Sequence, residues 1–350
     1  MGEPKIMYKI VPFNLENFPK PTGTNGSNSL TFFHRETGKI WILGEMLETN
    51  RHFEDNCGDG AEDEAEYFAY VHNFATWLIY SIENDKFSYE KIPIPTDIKL
   101  GLWNSLTYNH HDNLVYILSS DYRNKYRKIG GVLLFCYNLN NNKWDLIHSF
   151  EDEFVPERLI YDNEFERIII FYTNGDKKIG EFYFNDNSFK EHAFVLPHPS
   201  ERGFSITYDN KRYCYIYGGF DRNDNCYNRM YRMDSHNMRI ESEIIVEKLT
   251  ARTFAFCDYI EKHNAILFYG GTPDGFGFVN DGFIYFIDKE KWLKIIDLPN
   301  LAGGPVCVFD PFSHRLFFIN QSKFLPDERR YVYIADGIMV FNIDKIISGE

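Results

Sequence analysis

Two short runs constrain this chain more than any other feature in it. Residues 213–220 read YCYIYGGF and residues 266–272 read ILFYGGT. Each run is aromatic, aliphatic or β-branched until it stops on a glycine pair. Each is followed by a polar loop and a second apolar run, RMYRMD at 229–234 and FIYFID at 283–288. Aromatic and β-branched residues suit a pleated strand. A glycine pair closing such a strand marks backbone at positive φ, or backbone pressed against another segment. The runs start roughly fifty residues apart, enough for one four-stranded sheet with its turns.

Four further runs occupy the same place in their units without the pair, at 40–45, 114–120, 168–174 and 316–320. Trp144 and Trp292 open the last apolar run of their units, and Phe87 and Phe189 match them. An apolar run, a glycine pair, a polar loop, a run ending in Asp and then an aromatic resembles the kelch repeat. The resemblance is specific over two units and extends to four degenerate ones. It implies a β-propeller, and it implies little about activity because a fold hosts many functions.

Six units follow, at about 29–94, 101–150, 154–196, 203–246, 253–298 and 305–343. Their turns, at 36–38, 84–85, 110–113, 140–142, 162–164 and 185–187, carry Asn, Asp or Gly, as tight turns require. The last unit offers strands at 306–310, 316–320 and 338–343 but no fourth. Residues 7–14 alternate like a strand and have nothing before them to pair with. Adding that strand to the last unit closes the ring and removes two open edges. The expected fold is all-β: a single six-bladed β-propeller of four-stranded blades over residues 1–350, closed by the N-terminal strand. Helix-period patterns are nearly absent.

Aromatics make up 17% of the 350 residues, as expected of many half-buried strands. The net charge of −14 argues against a nucleic-acid partner, which calls for a basic face. No stretch approaches the ~18 apolar residues of a membrane-spanning helix. No CxxC pair occurs among the six cysteines, and Met1–Lys5 (MGEPK) shows no secretory pattern. A reduced, cytoplasmic protein is expected.

Three arginines precede or open an inner strand: Arg158, Arg202 and Arg252. The kelch resemblance places such residues at blade junctions. There they either line one mouth of the central channel, where a guanidinium reads carboxylates, or hydrogen-bond neighbouring carbonyls as staples. Trp103 occupies the junction of the second unit, as a contact anchor or as inter-blade packing. The basic loop with Arg123, Tyr126 and Arg127 and the apolar Phe276 and Phe278 in the loop DGFGF (274–278) are further candidate contacts. The acidic stretch 54–66 is either a solvated loop or a dock for a basic partner; it only half resembles a calcium loop.

Enzymes exist on this scaffold. The nitrile-specifier propellers hold iron with two acids and a histidine at spacings of four, and no histidine here has acids both four and eight residues before it. The adjacent His110 and His111 are a possible metal pair, but adjacent residues in a turn or strand are expected to point apart, and the pair is read as a polar turn. No GxSxG, HExxH or phosphate loop is present. The expectation is therefore no catalytic residue, metal or cofactor. The function expected is an intracellular interaction scaffold or adaptor that presents loops to a protein or peptide partner through Arg158, Arg202, Arg252, Trp103, Arg123, Tyr126, Arg127 and Phe276. The alternative is a small anionic ligand or substrate gripped by arginines at the channel mouth.

Overall fold

The second strand of each unit is a nearly unbroken apolar run, the pattern of a strand covered on both faces. The structure, a computed structural model, shows what covers them. It describes residues 9–12, 30–47, 73–83, 86–98, 100, 103–120, 131–152, 154–174, 176–193, 202–221, 223, 225–244, 246, 249–273, 279, 281–295, 306–319, 322–325, 330–333 and 337–349.

The first strand, β1 (Lys9–Pro12), belongs to the last blade. Blade 1 is β2 (Thr31–His34), β3 (Lys39–Leu47), β4 (Asn73–Glu83) and β5 (Lys86–Pro93). Blade 2 is β6 (Trp103–Asn109), β7 (Leu114–Ser120), β8 (Val132–Asn138) and β9 (Lys143–Phe150). Blade 3 is β10 (Val155–Asp162), β11 (Arg167–Asn174), β12 (Asp176–Tyr183) and β13 (Ser188–Ala193). Blade 4 is β14 (Arg202–Tyr208), β15 (Tyr213–Phe220), β16 (Met230–Asp234) and β17 (Arg239–Ile244). Blade 5 is β18 (Phe256–Ile260), β19 (Ala265–Tyr269), β20 (Gly282–Phe286) and β21 (Lys291–Ile295). Blade 6 starts with β22 (Val306–Asp310) and β23 (Arg315–Ile319); a small hairpin of β24 (Ser322–Leu325) and β25 (Arg330–Tyr333) intervenes before β26 (Gly337–Asn342). Every blade is an antiparallel meander. In blade 6 the outer place is taken by β1, with Lys9 opposite Val340 and Pro12 opposite Gly337. The chain is thus a six-bladed β-propeller whose ring is closed by its N-terminal strand.

One turn chemistry recurs. The residue just before the second strand is left-handed in five blades: Gly38, Asn113, Glu166, Asn264 and His314. The residue before the fourth strand is left-handed at Asn142, Asn187, Met238 and Glu290. The residue ending the first strand, or the one just after it, often supplies the oxygen that tightens the turn. Asp209 Oδ1 accepts from the backbone N–H of Lys211, Arg212 and Tyr213, and Asn109, Asp162 and Asp310 act similarly in their blades. Short polar side chains that bond forward along the backbone are why Asn and Asp mark these turns.

The core is six interfaces between blades rather than one centre. Val115 and Ile117 of β7 pack toward blade 1, while Tyr116 and Leu118 pack toward blade 3. In β15, Cys214 and Ile216 face blade 3, and Tyr215 and Tyr217 face blade 5. A strand with period-two alternation and neighbours on both sides must be apolar throughout. Each fully buried large apolar side chain contributes about 1.5–3 kcal/mol. The aromatics that open fourth strands join these interfaces: Trp144 stacks on Trp77 at 6.1 Å between ring centroids, and Trp292 lies 4.6 Å from Tyr285. Four cysteines, Cys136, Cys214, Cys257 and Cys307, each sit in a different interface.

Two elements differ from the sequence expectation. The β24–β25 hairpin stands outside the four-strand repeat, between the second and third strands of the last blade. Ile343 is not the end of a strand but the start of a helix, Ile343–Ser348, capped where the Asn342 side chain accepts from the Lys345 N–H.

Candidate functional site

Lateral hydrogen bonds fix how the inner strands run. The backbone N–H groups of Leu159 and Tyr161 in blade 3 donate to Ser105 and Thr107 in blade 2. Between blades 4 and 5, Phe254 N–H donates to Gly203 O, and Ser205 Oγ donates to Ala255 O. Both numbers rise together in each pair, so neighbouring inner strands are parallel. Cross-blade contacts of the turns extend this around the ring: His34 with Asn113, Phe165 with His236, and Phe33 with Phe312. The turns after the first strands therefore share one face. The glycine pairs, which close the second strands of blades 4 and 5, lie toward the other.

All six blades line a cavity of about 240 Å³ along the axis, with Thr31, Leu106, Arg158, Asn210, Asp258 and Cys307 each drawn from a different blade. Two charged groups meet it. Arg158 makes no hydrogen bond or ion pair among the described residues, and its Nε is buried without a partner. Asp258, two blades away, accepts one hydrogen bond, from the Tyr259 backbone N–H at 2.8 Å. Burial pushes the Asp258 carboxyl up to about 6, although the positive field of Arg158 and the Tyr259 N–H pull it down. The two groups feel each other across the lumen without touching. Burial also pushes the Cys257 thiol up to about 12 and Cys307 well above its ordinary value, so both pack as thiols rather than act as nucleophiles.

The junction arginines do not form one set. Arg158 stands four residues before the end of its inner strand, Arg202 six and Arg252 eight. Their backbones occupy three heights on the propeller wall; the Arg158 side chain lines the cavity, and that of Arg252 is not among its lining residues. Arg252 has no exposed side-chain surface. Its guanidinium donates to Thr250 O, Thr250 Oγ1, Gly270 O and both oxygens of Asp281, at 2.5–3.1 Å. Arg252 is therefore a staple with nothing to offer a partner, which corrects its placement among contact residues. The structure describes the backbone of Arg202, which opens β14 opposite Phe220, and of Trp103, which opens β6 opposite Ser120. Arg123, Tyr126, Arg127, Phe276 and the acidic stretch 54–66 lie outside the described residues.

The glycine pairs exist for this staple. A Cβ on Gly218 would sit 2.2 Å from the Arg252 carbonyl oxygen, and one on Gly271 would sit 2.7 Å from the Thr253 carbonyl oxygen. Gly219 N–H donates to that Arg252 carbonyl. The segment carrying Arg252 is threaded between the second strands of blades 4 and 5, at a separation only glycine permits.

Three features escaped sequence reasoning. Asp258 was legible in principle, as a charge in the middle of the apolar run FCDYI. Asp344, on the C-terminal helix, accepts from Lys262, His263 and His314 at 2.7–2.9 Å and ties that helix to blades 5 and 6. Burial works against its ionisation, but these three donors together hold its carboxyl well below the usual range. His110 and His111 do not point apart: their ring centroids lie 4.0 Å apart, because the pair sits in a turn, where strand alternation does not apply. Among the described residues no three His, Cys, Asp or Glu side chains are grouped to hold a metal ion. No described helix is long and apolar enough to cross a membrane.

No protein-family model matches this chain, and no curated protein does either.

Proposed function

We propose that the chain is a kelch-type recognition propeller, working without catalysis in a reducing, cytoplasmic setting, that binds a protein or peptide partner. The observation that carries this reading is the pair Phe165 and Phe312, which are 42% and 49% exposed on the turn face. They stand on blades 3 and 6, opposite positions in a ring of six. Each has an arginine at its ring, Arg167 and Arg35 respectively, with Cζ 4.6 Å from the centroid. Exposed aromatics flanked by cations are the residue types that anchor protein interfaces. The kelch assignment is supported by the two double-glycine blades and by the aromatics that open fourth strands. The reducing setting is supported by cysteines that serve as separate apolar core residues rather than as pairs.

The test is quantitative capture from native-cell extract on immobilised full-length protein, comparing wild type, F165S/F312S, and R123A/R127A/F276A. A stoichiometric partner lost about tenfold or more in the phenylalanine variant is the expected result. Loss in the loop variant alone moves the interface to the opposite face. Absence of any stoichiometric partner overturns the reading.

A further inference from the structure

We infer that the central channel is a binding site for a small zwitterion of amino-acid size, with its anionic end on Arg158 and its cationic end on Asp258. The argument starts from what these two side chains lack. A guanidinium carries five donors, and burying it without partners is costly. Arg158 has no protein acceptor among the described residues, and its Nε is shut away from water. Arg252 shows how this fold satisfies an arginine that serves structure: with five hydrogen bonds and a carboxylate. Among the described residues Arg158 has neither. Asp258 has a single backbone donor and shares the same lumen.

The spacing excludes the simplest structural role. An Arg–Asp staple across the channel would put nitrogen and oxygen in contact. These side chains interact only through their fields and leave a gap between a cation and an anion. The complement of that gap is a molecule with one charge of each sign and no net charge. A singly charged anion would satisfy Arg158 and be repelled by Asp258, and a simple cation would meet the reverse. The volume of about 240 Å³ equals about eight waters of liquid, which sets the ligand at roughly eight to a dozen heavy atoms. Leu106, Phe256 and Phe309 on the cavity wall give an apolar substituent a place to rest. Cys307, the cysteine on the cavity wall, is held as a thiol by burial, so it offers no nucleophile to a bound molecule.

The experiment is calorimetric titration of the full-length chain with each of the twenty L-amino acids. Acetate and ethylamine serve as single-ended probes, and the hydroxy acid matching the best amino acid is the comparison. At least one amino acid binds with millimolar or tighter affinity, and acetate and ethylamine bind at least about tenfold more weakly. R158M weakens that amino acid about tenfold or more, whereas R158K, which keeps the charge but loses the fork, falls between. D258N removes the preference for the amino acid over its hydroxy acid. Thermal melting confirms that each variant folds. If no amino acid binds at about 10 mM to a chain that melts cooperatively, the inference is wrong. It is equally wrong if R158M binds as tightly as wild type, or if acetate alone binds as well as the best amino acid.

Discussion

The entrances to blades 3 and 5 look alike in sequence and differ in every physical respect. Each has an arginine beside the start of an inner strand. In blade 5 the arginine comes before the strand, at the level of the glycine pairs. Backbone carbonyls and Asp281 surround it there, and it disappears into the wall. In blade 3 the arginine lies inside the strand, just past a register shift between Pro156 and Arg158, and that irregularity carries it along the channel. Blade 3 has no glycine pair on its second strand and so cannot admit a chain segment as closely. One arginine became part of the scaffold and the other remained available. Recurrence of a residue type across repeats therefore says little about its role until its height on the wall is known.

This contrast can be broken experimentally, and the largest effect is expected at the staple. Arg252→Met removes five hydrogen bonds and leaves Asp281 without its partner, so urea unfolding should show a loss of about 3–5 kcal/mol. A loss under about 1 kcal/mol would mean that Arg252 is not what joins blades 4 and 5.

Gly218→Ala attacks the same junction from the other side. The new Cβ meets the Arg252 carbonyl in a backbone at φ +72°, so the expected cost in the same assay is about 2–4 kcal/mol. Much of it should vanish on top of Arg252→Met, because the two changes damage one contact.

In the channel the expected effects are smaller and depend on pH. Asp258 binds its proton more tightly folded, at about 6, than unfolded, near its ordinary 3.8. Between those values the folded state holds the extra proton, so stability falls as pH rises from about 4 to about 6 and then levels off. Asp258→Asn should flatten that slope and leave the protein equally or more stable at pH 7. The gain is at most about 2 kcal/mol, because the half-buried Asp258 is partly screened by solvent. Melting temperatures of wild type and variant at pH 4.5 and pH 7.5 decide it, and parallel curves would place Asp258 outside the channel's influence. Arg158→Met should cost least, within about 1 kcal/mol of wild type, since among the described residues there is no partner to lose. A loss as large as that of Arg252→Met would make Arg158 a staple as well.

Much of the fold was legible because each blade repeats the same local physics. Turn residues at 110–113, 140–142 and 185–187 coincide with the turns observed, and the unpaired strand at the N-terminus found its partner in β26. The β24–β25 hairpin was not anticipated: it is an extra pair inserted between the second and third strands of the last blade, outside the four-strand repeat that guided the reading. The site was legible only in part. Residue type marked Arg158, and a charge inside FCDYI could have marked Asp258, but nothing local relates residues on blades 3 and 5. The polar turn expected at His110 and His111 is there, and only the direction of the two rings was misjudged: they face each other across a turn whose backbone reverses within four residues.

What the sequence alone determined is the architecture, because strand period, turn chemistry and the count of units are local properties that add up along the chain. What only the tertiary structure decided is the fate of individual polar side chains. Whether an arginine is consumed or left open depends on which carbonyls and carboxylates other blades bring to it. Those groups lie 18 and 29 residues ahead of Arg252, at Gly270 and Asp281. For Arg158 the nearest charge of opposite sign on the cavity wall lies two blades away, at Asp258.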